Sequence, residues 1–201
     1  MTDEILDGIW PPHEAFYLES MLHSTTAALR AADEVRQALE TGSEYCPSSP
    51  EWQECSLTIV DAVQTMVVQA AAISRYFWPA RAKEPHISRA ARLRSGLEVS
   101  DHSALRNRDL RNLLEHFDEK LDEFCRHLVA GVIVPTYVGP MQGAPEVPTS
   151  LFRAYYTDVA VFEILGQRFD IEPVLDELQG IHNRLLDCCE AGGRIPYSKQ
   201  N

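Results

Sequence analysis

The amino-acid sequence predicts a mainly α-helical protein, in which an antiparallel helical bundle is followed by a small β-hairpin and a final helix. Apolar residues recur every three or four positions over residues 13–130, which is the spacing of helices that share a core. Proline and glycine then crowd residues 131–150, and short runs of β-branched and aromatic residues follow them. At 201 residues, the chain is expected to form a single domain, 1–201.

The first two helices are predicted from their apolar stripes and their end signals. The first stripe covers residues 13–39, and Gly42 ends the helix. The second helix begins at Ser49-Pro50-Glu51, where serine can cap, proline loses no hydrogen bond and glutamate faces the positive end of the dipole. Its stripe covers residues 52–77, and Pro79 terminates it. Two neighbouring helices of this length are expected to pack as an antiparallel hairpin.

Two further helices complete the predicted bundle of residues 13–130. A short one is expected from Ser88 to Gly96, with leucine inward and its arginines facing solvent. Those arginines are Arg89, Arg92 and Arg94. The other is expected from about Ser103 to Leu128, because leucine and phenylalanine form one continuous stripe along it.

The last third of the chain has a different pattern. Residues 131–150 are expected to form an irregular loop, because their composition is rich in proline and glycine. Within residues 151–190, the runs LFRAYY and VAVFEIL predict a β-hairpin, and a helix is expected to start near Asp170. The tail from Ala191 onward is expected to fray.

Composition excludes several classes of function. No uninterrupted apolar run is long enough to span a bilayer, and the acidic N-terminus MTDEILDGIW lacks the features of a secretory signal. A cytoplasmic protein without membrane attachment is therefore expected. The five cysteines show no CxxC spacing, and the chain contains no HExxH motif and no phosphate-cradling glycine loop. We therefore expect no disulfide framework, no metal and no cofactor.

The charges are distributed unevenly along the chain. The net charge is -12, yet residues 81–111 carry eight basic side chains against four acidic ones. A basic segment on an acidic body is typical of a confined anion-binding surface, although a run of charges is also common on a solvated face. Four arginines are candidate substrate-binding residues on this basis. They are Arg89, Arg92, Arg94 and Arg108.

The hexapeptide RNLLEH, residues 111–116, places three chemically useful side chains on the predicted fourth helix. Asn112 and His116 are four residues apart and share one polar ridge, and Arg111 borders that ridge with a long side chain. Cleavage of RNA needs few protein groups, because the nucleophile is the 2′-hydroxyl of the substrate itself. An imidazole can transfer the protons, a guanidinium can stabilise the charge on phosphorus, and an amide can orient either partner.

An Arg-Asn pair followed after three residues by His, on a late helix of an α-bundle, resembles the signature of the HEPN superfamily. The resemblance covers roughly residues 13–130, and RNLLEH is its specific part. It implies a homodimeric bundle in which two motifs line one cleft, often as a metal-independent endoribonuclease that leaves a 2′,3′-cyclic phosphate. It also implies Arg111 and His116 as the catalytic pair, Asn112 as their support, and an antitoxin or nucleotidyltransferase as a partner.

Other interpretations of the same residues stay open. Arg111 with Glu115 can form an ordinary solvated ladder, in which case His116 is simply exposed. A second Arg-x4-His spacing, Arg81 to His86, lacks the asparagine and has a proline before its histidine, so we assign it no role. The alternative functions are a non-catalytic binding module of the same fold and a purely structural subunit.

Overall fold

Two long helices form the first half of the protein, as the sequence predicts. The computed structural model describes residues 8–107, 109, 112–113, 116–128, 131–143 and 147–197. Helix α1 spans Glu14–Gly42 and helix α2 spans Pro50–Phe77. The Ser49 hydroxyl accepts a hydrogen bond from the Trp52 amide at 3.1 Å, which is the predicted cap.

Contacts at both ends of this pair show that α1 and α2 run antiparallel. Near the connection, a side chain at Gly42 would collide with the ring of Trp52, so the helices approach closely there. At the far end, the hydroxyls of Ser20 and Tyr76 lie 2.6 Å apart. The predicted helical hairpin is therefore confirmed.

Helix α2 is the central helix of the core. It is the one helix in the described part of the chain with the length and composition of a membrane span, and its apolar window has a mean hydropathy of 1.4. The sequence prediction considered only uninterrupted apolar runs and therefore did not identify this helix. Within the fold, 56% of that window is buried, because α1, the third helix and the sheet pack around it. This burial is that of a core helix.

The predicted fourth helix is wrong as one continuous element. Helix α3 spans His86–Gly96, close to the prediction, but the chain then forms a 3₁₀ turn at Ala104–Arg106. His116 has φ -125° and ψ 38°, which is outside the helical region, and helix α4 covers only Phe117–Arg126. Asn107 explains the earlier of the two breaks, because its backbone is extended at ψ 116° and its side chain accepts a hydrogen bond from the Asp109 amide at 2.8 Å, as the cap of a new helix does.

The C-terminal third contains a four-stranded mixed sheet in the order β1-β2-β3-β4. Strands β2, Thr149–Tyr156, and β3, Val161–Ile164, form the predicted hairpin. Strand β4, Gln167–Asp170, was not predicted. It follows β3 through a two-residue turn in which Leu165 has φ 51° and Gly166 has φ 75°, the left-handed conformations of a tight hairpin.

The prediction of an irregular loop over residues 131–150 is also wrong in part. Strand β1, Val132–Gly139, lies within it and pairs in parallel with β2. Pro135 is compatible with this strand because β1 is at the edge of the sheet, where a missing N–H need not break a ladder bond. The register accordingly pairs Val134 with Leu151 and Thr136 with Arg153, on either side of the proline.

Helix α5, Ile171–Glu190, starts where the sequence predicts it and packs along α1. The Thr25 hydroxyl lies 2.9 Å from Nδ1 of His182 in this interface. The expectation of a frayed tail is wrong as far as Ile195, which is only 1% exposed, and residues 198–201 lie outside the described part of the chain. One hydrophobic core extends from α1 to Ile195 and includes the inner face of the sheet.

Candidate functional site

Asn112 and His116 lie one helical turn apart, as the motif requires. The His116 amide donates to the Asn112 carbonyl at 3.1 Å, so the turn between them is closed even though His116 itself has left helical geometry. Both residues are exposed, and the His116 side chain retains 55% of its accessible surface. The imidazole and the amide are therefore both accessible to a substrate.

Two neighbouring side chains hold this turn against the core. Leu113, directly after Asn112, is 1% exposed. Phe117, directly after His116, packs edge-on against Phe152 of β2 with the ring centroids 6.5 Å apart. Because each polar residue is followed by a buried or half-buried apolar one, the backbone that carries Asn112 and His116 is fixed to the sheet and the bundle.

The other two predicted residues of this segment are Arg111 and Arg108. Both lie outside the described residues, so their interactions with Asn112 and His116 remain predictions. The prediction that Arg111, Asn112 and His116 share one uninterrupted helix does not hold, because His116 is the residue that precedes α4.

The surface that follows His116 is acidic. Nδ1 of His116 lies 3.7 Å from a carboxylate oxygen of Glu119, and Asp118 stands beside it in the first turn of α4. Lys120 is hydrogen-bonded to Glu123 at 2.9 Å, which lowers the pKa of Glu123 and raises the pKa of Lys120. The negative charges of Asp118 and Glu119 repel a phosphate bound at His116, so an anionic substrate can bind here only if nearby cationic side chains offset them.

Arg92 faces inward, which corrects the prediction that it guides a substrate from the surface. It is 6% exposed and donates to the carbonyls of Ile195 and Pro196, each at 2.6 Å. It also pairs with Glu14 at 3.2 Å. The rule that arginines of a short helix face solvent fails here, because a buried carboxylate and two tail carbonyls accept hydrogen bonds from both terminal nitrogens, while Nε is buried without a partner.

The carboxylate of Glu14 completes this buried cluster. Glu14 is 0% exposed, and its second oxygen accepts from the Ile195 amide at 3.2 Å and from Nε of Arg194 at 2.9 Å. We call Glu14, Arg92, Arg194 and Ile195 the tail clasp. It joins the start of α1 to α3 and to the segment after α5, and so holds residues 194–196 against the helices.

Arg89 and Arg94 bind the end of α2. Arg89 donates to the carbonyl of Arg75 at 3.3 Å, and its guanidinium lies 5.9 Å from the ring centroid of Tyr76. Arg94 donates to the carbonyl of Phe77. The last carbonyls of a helix lack partners within it and carry partial negative charge, so these two arginines stabilise the C-terminus of α2.

The two residues of the second Arg-x4-His spacing, Arg81 and His86, do not lie on one helix. Helix α3 begins at His86, and Arg81 lies before the helix, so the two residues do not share a helical face. Among the described residues, no group of three or more His, Cys, Asp or Glu side chains is placed to hold a metal ion. All five cysteines are free thiols.

A second polar cluster, which was not predicted from the sequence, lies on the sheet. Glu163 of β3 stands directly opposite Arg168 of β4, and the carboxylate accepts hydrogen bonds from Nε of Arg168 at 2.6 Å and from the Tyr156 hydroxyl at 3.0 Å. The signal was the Leu165-Gly166 pair, because a two-residue turn there fixes the Glu163–Arg168 register.

The chain matches no protein-family model, and no curated protein or solved structure shows significant similarity to it.

Proposed function

We propose that the protein is a metal-independent endoribonuclease of the HEPN type, with Arg111, Asn112 and His116 as its site. The observation that carries the proposal is the exposed Asn112–His116 turn, which Leu113 and Phe117 anchor to the fold. An accessible imidazole is what proton transfer to a bound substrate requires. The RNLLEH sequence supplies the remaining support.

In the proposed reaction, the ribose 2′-oxygen attacks the adjacent phosphorus, and the bond from phosphorus to the 5′-oxygen breaks. The 2′-hydroxyl loses a proton, the 5′-oxygen gains one, and the products are a 2′,3′-cyclic phosphate and a 5′-hydroxyl. His116 transfers one of these protons, and Arg111 stabilises the charge that develops on the phosphorane oxygens. The Asn112 amide orients the phosphate.

The active form proposed here is a homodimer in the cytoplasm. Two protons must move in the reaction, and a pair of His116 side chains facing one phosphodiester provides both an acid and a base. The acidic surface around His116 predicts that binding depends strongly on Arg111 and Arg108 and weakens sharply with added salt. An antitoxin or a nucleotidyltransferase is the proposed partner that restrains such an activity.

A non-catalytic binding module is the second candidate function, and two observations favour it. The carboxylates of Asp118 and Glu119 oppose a phosphate at His116. In addition, Arg89, Arg92 and Arg94 bind groups of this chain, so three of the four predicted substrate-binding residues already have partners within the fold.

Cleavage of RNA in EDTA separates the two candidates. We expect the wild type to cut a single-stranded RNA under chelation, and the His116→Ala variant to be slower by a factor of about 10²–10⁴. A matched RNA with 2′-deoxyribose at the cut position must stay intact, because it lacks the nucleophile. The control is His23→Ala, which removes an exposed histidine from α1.

Each result assigns the site differently. Equal rates for the wild type and His116→Ala would remove His116 from the reaction. A wild type that binds RNA without cutting it, in the dimeric state, would establish the binding module instead. Loss of activity in His23→Ala to the same degree as in His116→Ala would mean that the assay reports folding and not chemistry.

A further inference from the structure

The face of the sheet that is turned away from the main core carries its own small cluster and a cavity. Within β3, Phe162 belongs to the main core, whereas Val161 packs in a separate cluster with Ala154 and Tyr156. A cavity of about 440 Å³ opens beside this cluster, a size within the usual range of small-ligand sites. We call it the outer-face pocket. Its walls include Val134, Tyr137, Gln142, Leu151, Glu163 and Arg168.

A buried carboxylate positions Arg168, the one cationic side chain among the described residues that line this pocket. The Glu163 side chain is 11% exposed and accepts from Nε of Arg168 at 2.6 Å, while the Arg168 side chain is 58% exposed. The Arg168 guanidinium also lies 5.6 Å from the ring centroid of Tyr156. The inner nitrogen makes the ion pair and more than half of the Arg168 side chain is exposed, so we infer that Nη1 and Nη2 can donate to a ligand in the pocket.

The protonation states of the cluster keep these donors in place. Burial raises the pKa of Tyr156, and the neighbouring Glu163 carboxylate raises it further, so the phenol stays neutral and donates to Glu163. The hydrogen bond to Glu163 raises the pKa of Arg168, so the guanidinium stays charged.

The opposite wall is also held by specific contacts. The Tyr137 hydroxyl donates to the Pro140 carbonyl at 2.8 Å and accepts from the Gln142 amide at 3.1 Å. The Asp158 carboxylate accepts from the Met141 amide at 2.8 Å, which ties the same stretch of chain to the turn after β2. The aromatic ring of Tyr137 thus stands at a defined position, with its centroid 6.0 Å from that of Tyr156.

The charge balance of the pocket selects the kind of anion. Glu163 offsets the charge of Arg168, so a dianionic phosphate monoester would meet too little positive charge to replace its hydration. A carboxylate carries a single charge, and its two oxygens match the spacing of Nη1 and Nη2. Val134, Leu151 and the Tyr137 ring offer apolar surface to the rest of such a ligand.

We propose that the outer-face pocket binds a small monoanionic carboxylate with a flat apolar body, which Arg168 holds by its terminal nitrogens. The apolar walls and the ring of Tyr137 contact the body of the ligand, and Glu163 keeps the guanidinium oriented. Binding here requires neither RNA nor His116, so this proposal and the proposed nuclease site are tested independently.

Isothermal titration of the full-length protein with three probes of matched shape tests the pocket. The probes are benzoate, the neutral benzamide and the dianionic phenyl phosphate, titrated above pH 7.5. We expect saturable binding of one benzoate per chain with a dissociation constant below about 1 mM, and weaker binding of both other probes. The variant Arg168→Gln should weaken benzoate binding at least about tenfold, and Arg168→Lys by a smaller factor.

The matched control is Arg30→Gln, which removes an exposed arginine from α1 and should leave benzoate binding unchanged. Circular dichroism verifies that each variant is folded, and Arg168→Lys carries the test if Arg168→Gln does not fold. The proposal is overturned if the wild type is not saturated by benzoate at ten times the expected dissociation constant of about 1 mM. It is equally overturned if phenyl phosphate binds more tightly than benzoate, or if Arg168→Gln and Arg168→Lys bind benzoate as the wild type does.

Discussion

Replacement of Arg92 by alanine should destabilise the protein strongly, although sequence analysis placed this residue on the surface. The substitution leaves the carbonyls of Ile195 and Pro196 without their donor and takes one of two arginines from the buried carboxylate of Glu14. Breaking a buried ion pair by removing one partner costs about 3–5 kcal/mol. For a chain of this size, that loss lowers the melting temperature by about 10 °C.

Urea unfolding followed by circular dichroism measures this loss, and limited proteolysis reports the release of the tail. Arg92→Lys should fall between the wild type and alanine, because lysine retains the charge but cannot donate to three partners in the same geometry. Arg36→Ala is the matched control, since Arg36 pairs with Asp33 and Glu40 on the exposed face of α1 and should leave stability unchanged. A loss below about 1 kcal/mol for Arg92→Ala would refute the structural role of the tail clasp.

Three further predictions concern the helix start, the core and the thiols. Ser49→Ala removes the hydroxyl that caps α2 and should cost about 1 kcal/mol in urea unfolding, whereas Ser49→Asn should retain most of that stability. Phe162→Ala, at a core position that is 0% exposed, should cost about 3–5 kcal/mol. Burial raises the pKa of Cys188, so at pH 8 iodoacetamide should label the exposed Cys189 and leave Cys188 unlabelled. Mass spectrometry of the digested protein measures both labels, and equal labelling of the two thiols would contradict the prediction.

The elements with local signals were predicted correctly. Helix α2 starts at Ser49-Pro50 because the cap, the proline and the following stripe all act within a few residues. The β2–β3 hairpin follows from two β-branched and aromatic runs around a short turn. In these cases the residues that carry the sequence signal lie within the element that the signal predicts.

The elements that were missed depend on partners far away in the chain. Strand β1 contains Pro135 and is stable only because β2 pairs with one of its edges. Arg92 faces inward because Glu14 and Ile195, 78 and 103 positions away, supply its partners. No local pattern around these residues contains that information.

The candidate site was predictable in part for the same reason. Asn112 and His116 lie one turn apart and exposed, as their four-residue spacing and the apolar stripe on the opposite side of the segment predict. The interruption of the helix at His116 was not predicted, because the continuous apolar stripe from Leu113 to Phe124 fits an unbroken helix equally well. The acidic neighbour Glu119 was visible in the sequence, but its 3.7 Å approach to the imidazole was not.

The tail clasp also sets the order of events during synthesis. The Ile195 amide and the Glu14 carboxylate are 181 residues apart, so at about 5–20 residues per second the ribosome needs about 10–40 s to supply the second after the first. Arg92, 78 positions after Glu14, is translated earlier and can already pair with this carboxylate, whereas Arg194 and the Ile195 amide are added only at the end of that interval. The contacts of Glu14 at the start of α1 are therefore complete only after the segment that follows α5 has been translated.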